Sequence, residues 1–266
     1  CSDFANLKDL QNHVHSFDLL PKNQTIKMME STKKIALIAG IGYLVIFITG
    51  IYANFFILEN LVVPGDAVAT TENITNNATQ FRGGILSFIL MVAFDVVLAW
   101  ALYVLFKSVD LSIAQLSAWL RLVNATIFGV ALYHLFSVLQ LTGSLDFAAM
   151  FSAEQLSAQV MLSLSAFNHI WLIGLVFFGI HLLFLGYLII KSGEVPKVLG
   201  ILLIVAGGGY LGDSFANFMM PNYTDYKDIF ALLVIVPGVI GELSFTVWLL
   251  WRGLRKPRVT LAQSQA

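Results

Sequence analysis

Six stretches of this chain are long and apolar enough to cross a lipid bilayer, and this feature restricts the fold more than any other. A spanning helix needs about 20 apolar residues at about 1.5 Å per residue. Hydrophobic residues make up 58% of the 266-residue chain and charged residues 12%, whereas a soluble domain carries about 25% charged residues. The sequence therefore predicts an all-α integral membrane protein, a bundle of six transmembrane helices. The predicted spans are 35–57, 83–106, 113–139, 170–190, 198–218 and 229–251.

Lysine and arginine are distributed unevenly between the two sides of the predicted bundle. Arg82 and Lys227 flank one side, and nine basic residues flank the other. Cytoplasmic loops are enriched in Lys and Arg, so the pattern predicts that both termini are cytoplasmic. The nine residues are Lys33, Lys34, Lys107, Lys191, Lys197, Arg252, Arg255, Lys256 and Arg258.

The predicted membrane domain, residues 33–252, has a polar segment on each side. Residues 1–32 form a polar N-terminal extension, and residues 253–266 form a basic, then polar, cytoplasmic tail. Met29 lies just before the first span and resembles a natural start, so one hypothesis is that residues 1–28 are a non-native extension. The alternatives are that these residues are native, or that Cys1 carries a lipid. Apolar residues at helical spacing in the extension are compatible with a short amphipathic surface helix. They are Phe4, Leu7, Leu10, Val14 and Phe17.

Two other segments lie between the predicted spans. Residues 59–80 are polar and contain the turn signal Pro64-Gly65, so we expect a solvated loop. Residues 146–167 alternate apolar side chains with Ser, Gln and Glu. We expect this segment to lie along the outer membrane interface before the fourth span.

Four polar residues are predicted to share a layer near the middle of the membrane. Counting about 1.5 Å per residue from the span ends places Asp95, His181 and Glu242 at this depth, and the long side chain of Arg121 reaches it. Arg121 also shares a helix face with Ser117 and Asn124, since neighbours on one face are three or four residues apart.

A second polar layer is predicted nearer the outer side. It contains Asp213, His134 and His169, and Tyr210 and Asn217 share a helix face with Asp213. A metal ion bound by His134, His169 and Asp213 is one hypothesis for this layer. Arg82 marks its outer mouth.

Charges inside a membrane cost several kcal/mol and are typical of functional sites. Three acids and one arginine leave a net charge of −2, which favours a bound proton or cation. The first hypothesis is therefore transport or sensing of a small solute, ion or proton, with Asp213 as the point of access. The second is a non-catalytic structural or accessory subunit whose charges hold the bundle together. The third is a membrane enzyme or metal protein.

The sequence gives few signs of catalytic sites, cofactors or partners. No HExxH, CxxC, P-loop or nucleophile-elbow pattern is present, so no catalytic residue and no cofactor is assigned. The net charge of −1 does not suggest a nucleic-acid partner. The lipid bilayer is the predicted environment, and a homo-oligomer or a larger membrane complex is compatible with it.

Short phrases along the chain resemble the bacterial membrane family called "domain of unknown function 4386". The resemblance covers residues 33–252 and implies six spans, a bacterial inner-membrane location and an N-terminal segment, 1–28, outside the family core. It implies no catalytic residues. The phrases are Val62-Val63-Pro64-Gly65-Asp66-Ala67, Phe81-Arg82-Gly83, Phe94-Asp95-Val96, Leu120-Arg121-Leu122, Gly179-Ile180-His181, Gly209-Tyr210-Leu211-Gly212-Asp213 and Gly241-Glu242-Leu243.

Overall fold

The computed structural model describes residues 22–143 and 151–255, and within these ranges every regular element is a helix. The first helix continues through a π-helical segment, Tyr52–Leu58, and a final turn, Glu59–Leu61. A 3-10 turn, Tyr223–Asp225, precedes the last helix. The labelled helices are α1 (Lys22–Ile51), α2 (Ala67–Asn76), α3 (Ala78–Phe106), α4 (Leu111–Gly143), α5 (Ala153–Ser192), α6 (Lys197–Met219) and α7 (Lys227–Leu254).

Six helices of the described chain are long and apolar enough to cross a membrane. They are Glu30–Leu61, which is α1 with its continuation, and the helices α3 to α7. The predicted all-α, six-span fold is confirmed. The predicted amphipathic helix of the N-terminal extension and the tail from residue 256 lie outside the described residues.

The six spanning helices form a closed ring. Each helix packs against its neighbours in sequence, and α7 packs back against α1. The Lys33 ammonium donates a hydrogen bond to the Arg255 carbonyl at 2.9 Å, so the chain enters and leaves the ring at the same face. We call this the basic face, and the opposite one, which carries α2, the α2 face. That the basic face is cytoplasmic stays a prediction.

The apolar core of the ring is divided into two clusters. One lies toward the basic face and includes Leu98 and Phe245, and the other lies toward the α2 face and includes Met91 and Phe88. On α3 the single acid Asp95 falls between Met91 and Leu98. The polar layer therefore lies at the junction of the two apolar clusters.

Glycines allow α5 and α6 to pack with their backbones in contact. A methyl group at Gly207 would lie 2.7 Å from the Gly179 carbonyl oxygen, and one at Gly200 would lie 2.7 Å from the Gly186 carbonyl oxygen. The two pairs are seven residues apart on each antiparallel helix, about two turns. Small residues are typical of such interfaces in membranes, where close packing replaces the hydrophobic effect.

The segment before the fourth span differs from our expectation. Helix α5 begins at Ala153, capped by a reciprocal Ser152–Gln155 pair, so residues 153–167 continue the span instead of lying separately along the interface. Val160 and Phe167 are buried in this part of the helix. Its 40 residues correspond to about 60 Å, longer than the hydrocarbon core of about 30 Å. The earlier residues of the expected interfacial segment, 146–150, lie outside the described residues.

The expected solvated loop, residues 59–80, contains the helix α2. Its start is fixed by a turn in which Gly65 has φ +79° and by the Asp66 carboxylate, which accepts from the Ala69 amide at 2.9 Å. Thr70 and Ile74 are fully buried. The prediction missed α2 because the buried face of this helix carries threonines, which were counted as polar.

Replacing adjacent glycines on α6 tests the backbone contact. Gly207→Ala should destabilise the protein by about 1–3 kcal/mol through overpacking against α5. Gly208→Ala meets no atom within 4 Å and should be neutral or stabilising by up to about 1 kcal/mol, because alanine is the better helix former. Thermal unfolding of both variants in the same detergent measures the difference, and equal melting temperatures would contradict this packing.

Candidate functional site

The polar layer is organised around Arg121, the largest fully buried side chain among the described residues, which is 1% exposed. Its Nη2 donates to Oδ1 of Asp95 at 2.6 Å. Its Nη1 donates to the hydroxyl of Tyr43 at 3.4 Å and to Nε2 of His181 at 3.1 Å. Side chains from α1, α3, α4 and α5 therefore meet at one guanidinium.

The hydrogen bonds of His181 assign its tautomer. Its Nδ1 lies 2.9 Å from the carbonyl oxygen of Ser117 and 3.0 Å from the hydroxyl of the same residue. A carbonyl only accepts, so Nδ1 carries the proton and donates to it, and Nε2 presents a lone pair to Arg121. The imidazole is neutral in this arrangement and acts as an acceptor for the arginine.

Aromatic rings cover the guanidinium as well. The Arg121 Cζ atom lies 5.2 Å from the ring centre of Tyr43 and 5.5 Å from that of Phe178. Desolvated cation–π contacts of this kind are worth about 2 kcal/mol. Together with the hydrogen bonds they make Arg121 and Asp95 a closed, electrically neutral pair.

Glu242 of α7 differs from Asp95 because its carboxylate has no basic partner. It is 8% exposed and follows Pro237 and Gly238 by about one turn. No salt bridge to it is found within residues 22–143 and 151–255. Asp95 and Arg121 carry opposite unit charges and pair with each other, whereas the ionised carboxylate of Glu242 has no paired opposite charge in this part of the chain. One negative charge therefore remains in the layer.

A cavity of about 270 Å³ reaches this layer. All six spanning helices contribute to its wall, and Asp95, Arg121 and Glu242 are among the residues that line it. Apolar and aromatic side chains form most of the remaining wall. They include Phe47, Phe55, Phe128, Trp171, Phe178 and Tyr210.

Asn124 is the strongest sign that the cavity holds a polar ligand or water. The residue lines the cavity and is 0% exposed, and neither its amide nitrogen nor its amide oxygen has a hydrogen-bond partner in the described protein. The Nε atom of Arg121 lacks a partner as well. An unsatisfied buried polar group costs about 1–3 kcal/mol, so a molecule that both donates and accepts is expected beside Asn124.

A second cavity, of about 570 Å³, lies between the first one and the α2 face. Asn54, in the π-helical segment of α1, lines both cavities. Single π-helical turns in α-helices are frequent at functional sites. The wall of the second cavity comes from the end of α1, from α5 and from the start of α7. It includes Leu58, Glu59, Leu164, Phe167, Asn168 and Lys227.

Asp213, the expected point of access, lies elsewhere. Its Oδ1 accepts a hydrogen bond from the Tyr223 hydroxyl at 2.6 Å, and Asn217 also contacts that hydroxyl. Partial burial, with the adjacent carboxylate, raises the pKa of Tyr223 to about 12, so the phenol stays a donor at neutral pH. Asp213 lines neither cavity. The structure thus places Asp213 apart from both cavities, because the turn before α7 folds over it and supplies its hydrogen-bond partner.

The two outer histidines do not join Asp213. His134 packs edge-to-face against Tyr133, with ring centres 5.8 Å apart, and His169 is exposed, 3.4 Å from Ser165. No group of three His, Cys, Asp or Glu side chains in the described ranges could hold a metal ion. The hypothesis of a metal site at His134, His169 and Asp213 is therefore wrong.

Tyr210 and Arg82 also lie apart from an outer layer. Tyr210 packs edge-to-face on Phe178, with ring centres 5.2 Å apart, and it lines the central cavity together with Glu242. Arg82 is exposed on α3 and lines neither cavity. The structure thus brings together Asp95, Arg121, His181, Glu242 and Tyr210, and leaves the other expected residues outside.

Tyr43 and Asn54 are site residues that the sequence did not reveal. A tyrosine near a span end is usually explained by the aromatic belt at the membrane interface, and Asn54 lies in an ordinary apolar stretch. Asn124 did carry a signal, because it shares a helix face with Arg121.

A family model described as "Domain of unknown function (DUF4386)" matches residues 38–253. The chain belongs to this family. An "Uncharacterized protein" of Archaeoglobus fulgidus is similar to it, with 31% identity over 175 residues, which cover 66% of this chain and 86% of the relative. No solved structure matches. The resemblance drawn from the sequence is confirmed, and the protein is a multi-pass membrane protein, while these matches assign no activity.

The buried pair can be tested with a double-mutant cycle. Arg121→Gln and Asp95→Asn should each destabilise the protein by about 3–5 kcal/mol, because each leaves a partner charge buried alone. The double variant should recover part of that loss. Thermal unfolding in detergent measures all three.

The exposed pair Lys191–Asp110, at 2.8 Å, provides the control. Lys191→Gln should cost about 1 kcal/mol or less, since solvent screens surface pairs. Losses at Arg121 and Asp95 that simply add in the double variant would contradict the coupling of the buried pair.

Proposed function

We propose that this protein transports a small solute through its central cavity and that Glu242 couples the process to a proton or a monovalent cation. The observation that carries the proposal is a cavity lined by six helices that reaches a carboxylate without a basic partner. Ionisable residues inside membranes are costly and mark pathways for ions, protons or substrates. The charges of Arg121 and Asp95 balance each other, whereas the charge of Glu242 has no counterpart in the described ranges.

The charge of the cavity supports coupling to a cation. Two carboxylates and one guanidinium line it, and a low-dielectric site with one excess negative charge favours either protonation or a bound cation. Exchange between these two states is the chemistry of a coupled carrier. A protein that binds its solute without carrying it across would instead act as a sensor at the same site.

The side from which the cavity is reached is part of the proposal. The two cavities lead from Glu242 toward the α2 face, and the lysine and arginine distribution predicts that the basic face is cytoplasmic. The solute would then be taken up or released on the outer side of the membrane. By resemblance, this membrane is a bacterial inner membrane.

A structural role is the second candidate, and the closed network around Arg121 favours it. The guanidinium is bonded to three helices other than its own. A purely structural layer needs no cavity and no unpaired acid. The two functions therefore differ in what they predict for Glu242.

Proteoliposomes with a pH-sensitive dye inside test the coupling. With an imposed membrane potential or sodium gradient, wild-type protein should change the internal pH faster than protein-free liposomes. Glu242→Gln should reduce that flux to the protein-free rate. Its melting temperature should stay equal or rise, since a neutral amide costs less to bury than an unpaired carboxylate.

Two controls accompany the measurement. Glu72→Gln removes an exposed carboxylate on α2, and Asp213→Asn removes the acid held by Tyr223, so both should retain the flux. Wild-type flux no faster than that of protein-free liposomes would contradict transport. A Glu242→Gln variant that keeps its flux would contradict the role of the carboxylate, and one with a strongly lowered melting temperature would favour the structural candidate.

A further inference from the structure

Part of the wall of the central cavity is also part of the outer surface of the bundle. Ile51, at the end of α1, and Phe55, in its π-helical continuation, both line the cavity, and they are 47% and 49% exposed. The cavity is not enclosed, and these two side chains form an edge shared by its wall and the outer surface. In a membrane, the surface on the other side of this edge is hydrocarbon.

The packing of α1 against α7 explains where the edge lies. The two helices touch closely near the basic face, where a methyl group on Gly40 would meet Leu250 at 2.7 Å and one on Gly253 would meet Leu37 at 2.7 Å. Toward the α2 face most of the first half of α7 is exposed. Here the second cavity is bounded by the continuation of α1, by α5 and by the start of α7, so this is the part of the ring where an opening between α1 and α7 would lead into the cavities.

The central cavity combines a carboxylate with aromatic walls. Glu242 supplies the uncompensated negative charge, and aromatic faces such as those of Trp171 and Phe178 attract cations through their quadrupoles. Asn124, fully buried and without partners, adds a donor and an acceptor. A neutral sugar or an anion would leave the charge of Glu242 unmatched.

We propose that the cavity binds hydrophobic organic cations that reach it from the bilayer through the opening between α1 and α7. The positive centre lies beside Glu242, and the apolar body lies against the aromatic wall and the exposed edge at Ile51 and Phe55. This inference rests on the proposed function, because it names the class of solute that the same cavity takes.

The test compares two ions of the same shape and opposite charge, tetraphenylphosphonium and tetraphenylborate, on the full chain in nanodiscs, with empty nanodiscs as the baseline. Tetraphenylphosphonium should bind above the baseline and tetraphenylborate should not. Glu242→Gln should weaken cation binding at least tenfold, whereas Glu72→Gln should leave it unchanged. Phe55→Ala, at a half-exposed site, should weaken it as well, and it decides the question if the Glu242 variant fails to fold.

Tetramethylammonium, which does not dissolve in lipid, distinguishes a cation that enters from the bilayer from one that enters from water. It should fail to compete with tetraphenylphosphonium at equal concentration, and competition would overturn access from the bilayer. Equal binding of the borate, or unchanged cation binding in both the Glu242 and the Phe55 variants, would overturn the inference. Proton flux without phosphonium binding would refute only this inference, while phosphonium binding without flux would refute transport and leave the binding site standing.

Discussion

The rest of the structure depends on the burial of one guanidinium in the middle of a membrane bundle. Hydrocarbon offers Arg121 no hydrogen-bond acceptors, so both of its terminal nitrogens are bonded to side chains of neighbouring helices. Asp95 supplies a charge from α3, His181 a lone pair from α5, and Tyr43 a hydroxyl and a ring from α1. Hydrogen bonds to this one side chain hold the four helices in register at one depth, between the two apolar clusters.

This network also divides the buried charges into two kinds. Asp95 and Arg121 form an electrically neutral pair, joined by a direct hydrogen bond. Glu242 lies on α7, a helix that has no hydrogen bond to the guanidinium and packs closely on α1 near the basic face. The cavity is lined by all six spanning helices, and its wall contains the unpaired carboxylate of Glu242 and the unsatisfied amide of Asn124. The polar layer therefore combines a charge pair, which holds four helices together, with polar groups that have no partner among the described residues.

Much of this could be predicted from the sequence, and the reasons for the failures are physical. Apolar length identified the six spans, and counting residues from their ends put Asp95, Arg121, His181 and Glu242 at one depth. Depth along a helix does not reveal which neighbours a side chain meets, so the role of Tyr43 was missed. The partner of Asp213, Tyr223, was missed because it lies in the irregular turn before α7, and helical periodicity does not encode the geometry of such a turn. The buried helix α2 was missed because its inner face carries threonines, whose hydroxyls bond to backbone carbonyls of the same segment.

The central claim is that, in the polar layer, Asp95 and Arg121 pair directly, whereas Glu242 and Asn124 hold a ligand or water. An experimental map of the protein in lipid nanodiscs, at a resolution that shows ordered water, tests it most directly. We expect density for water or a bound molecule within hydrogen-bonding distance of the Asn124 amide, continuous with density at the Glu242 carboxylate, and none between Arg121 and Asp95. A dry interior in which side chains close around Asn124 and a basic group pairs with Glu242 would contradict the account.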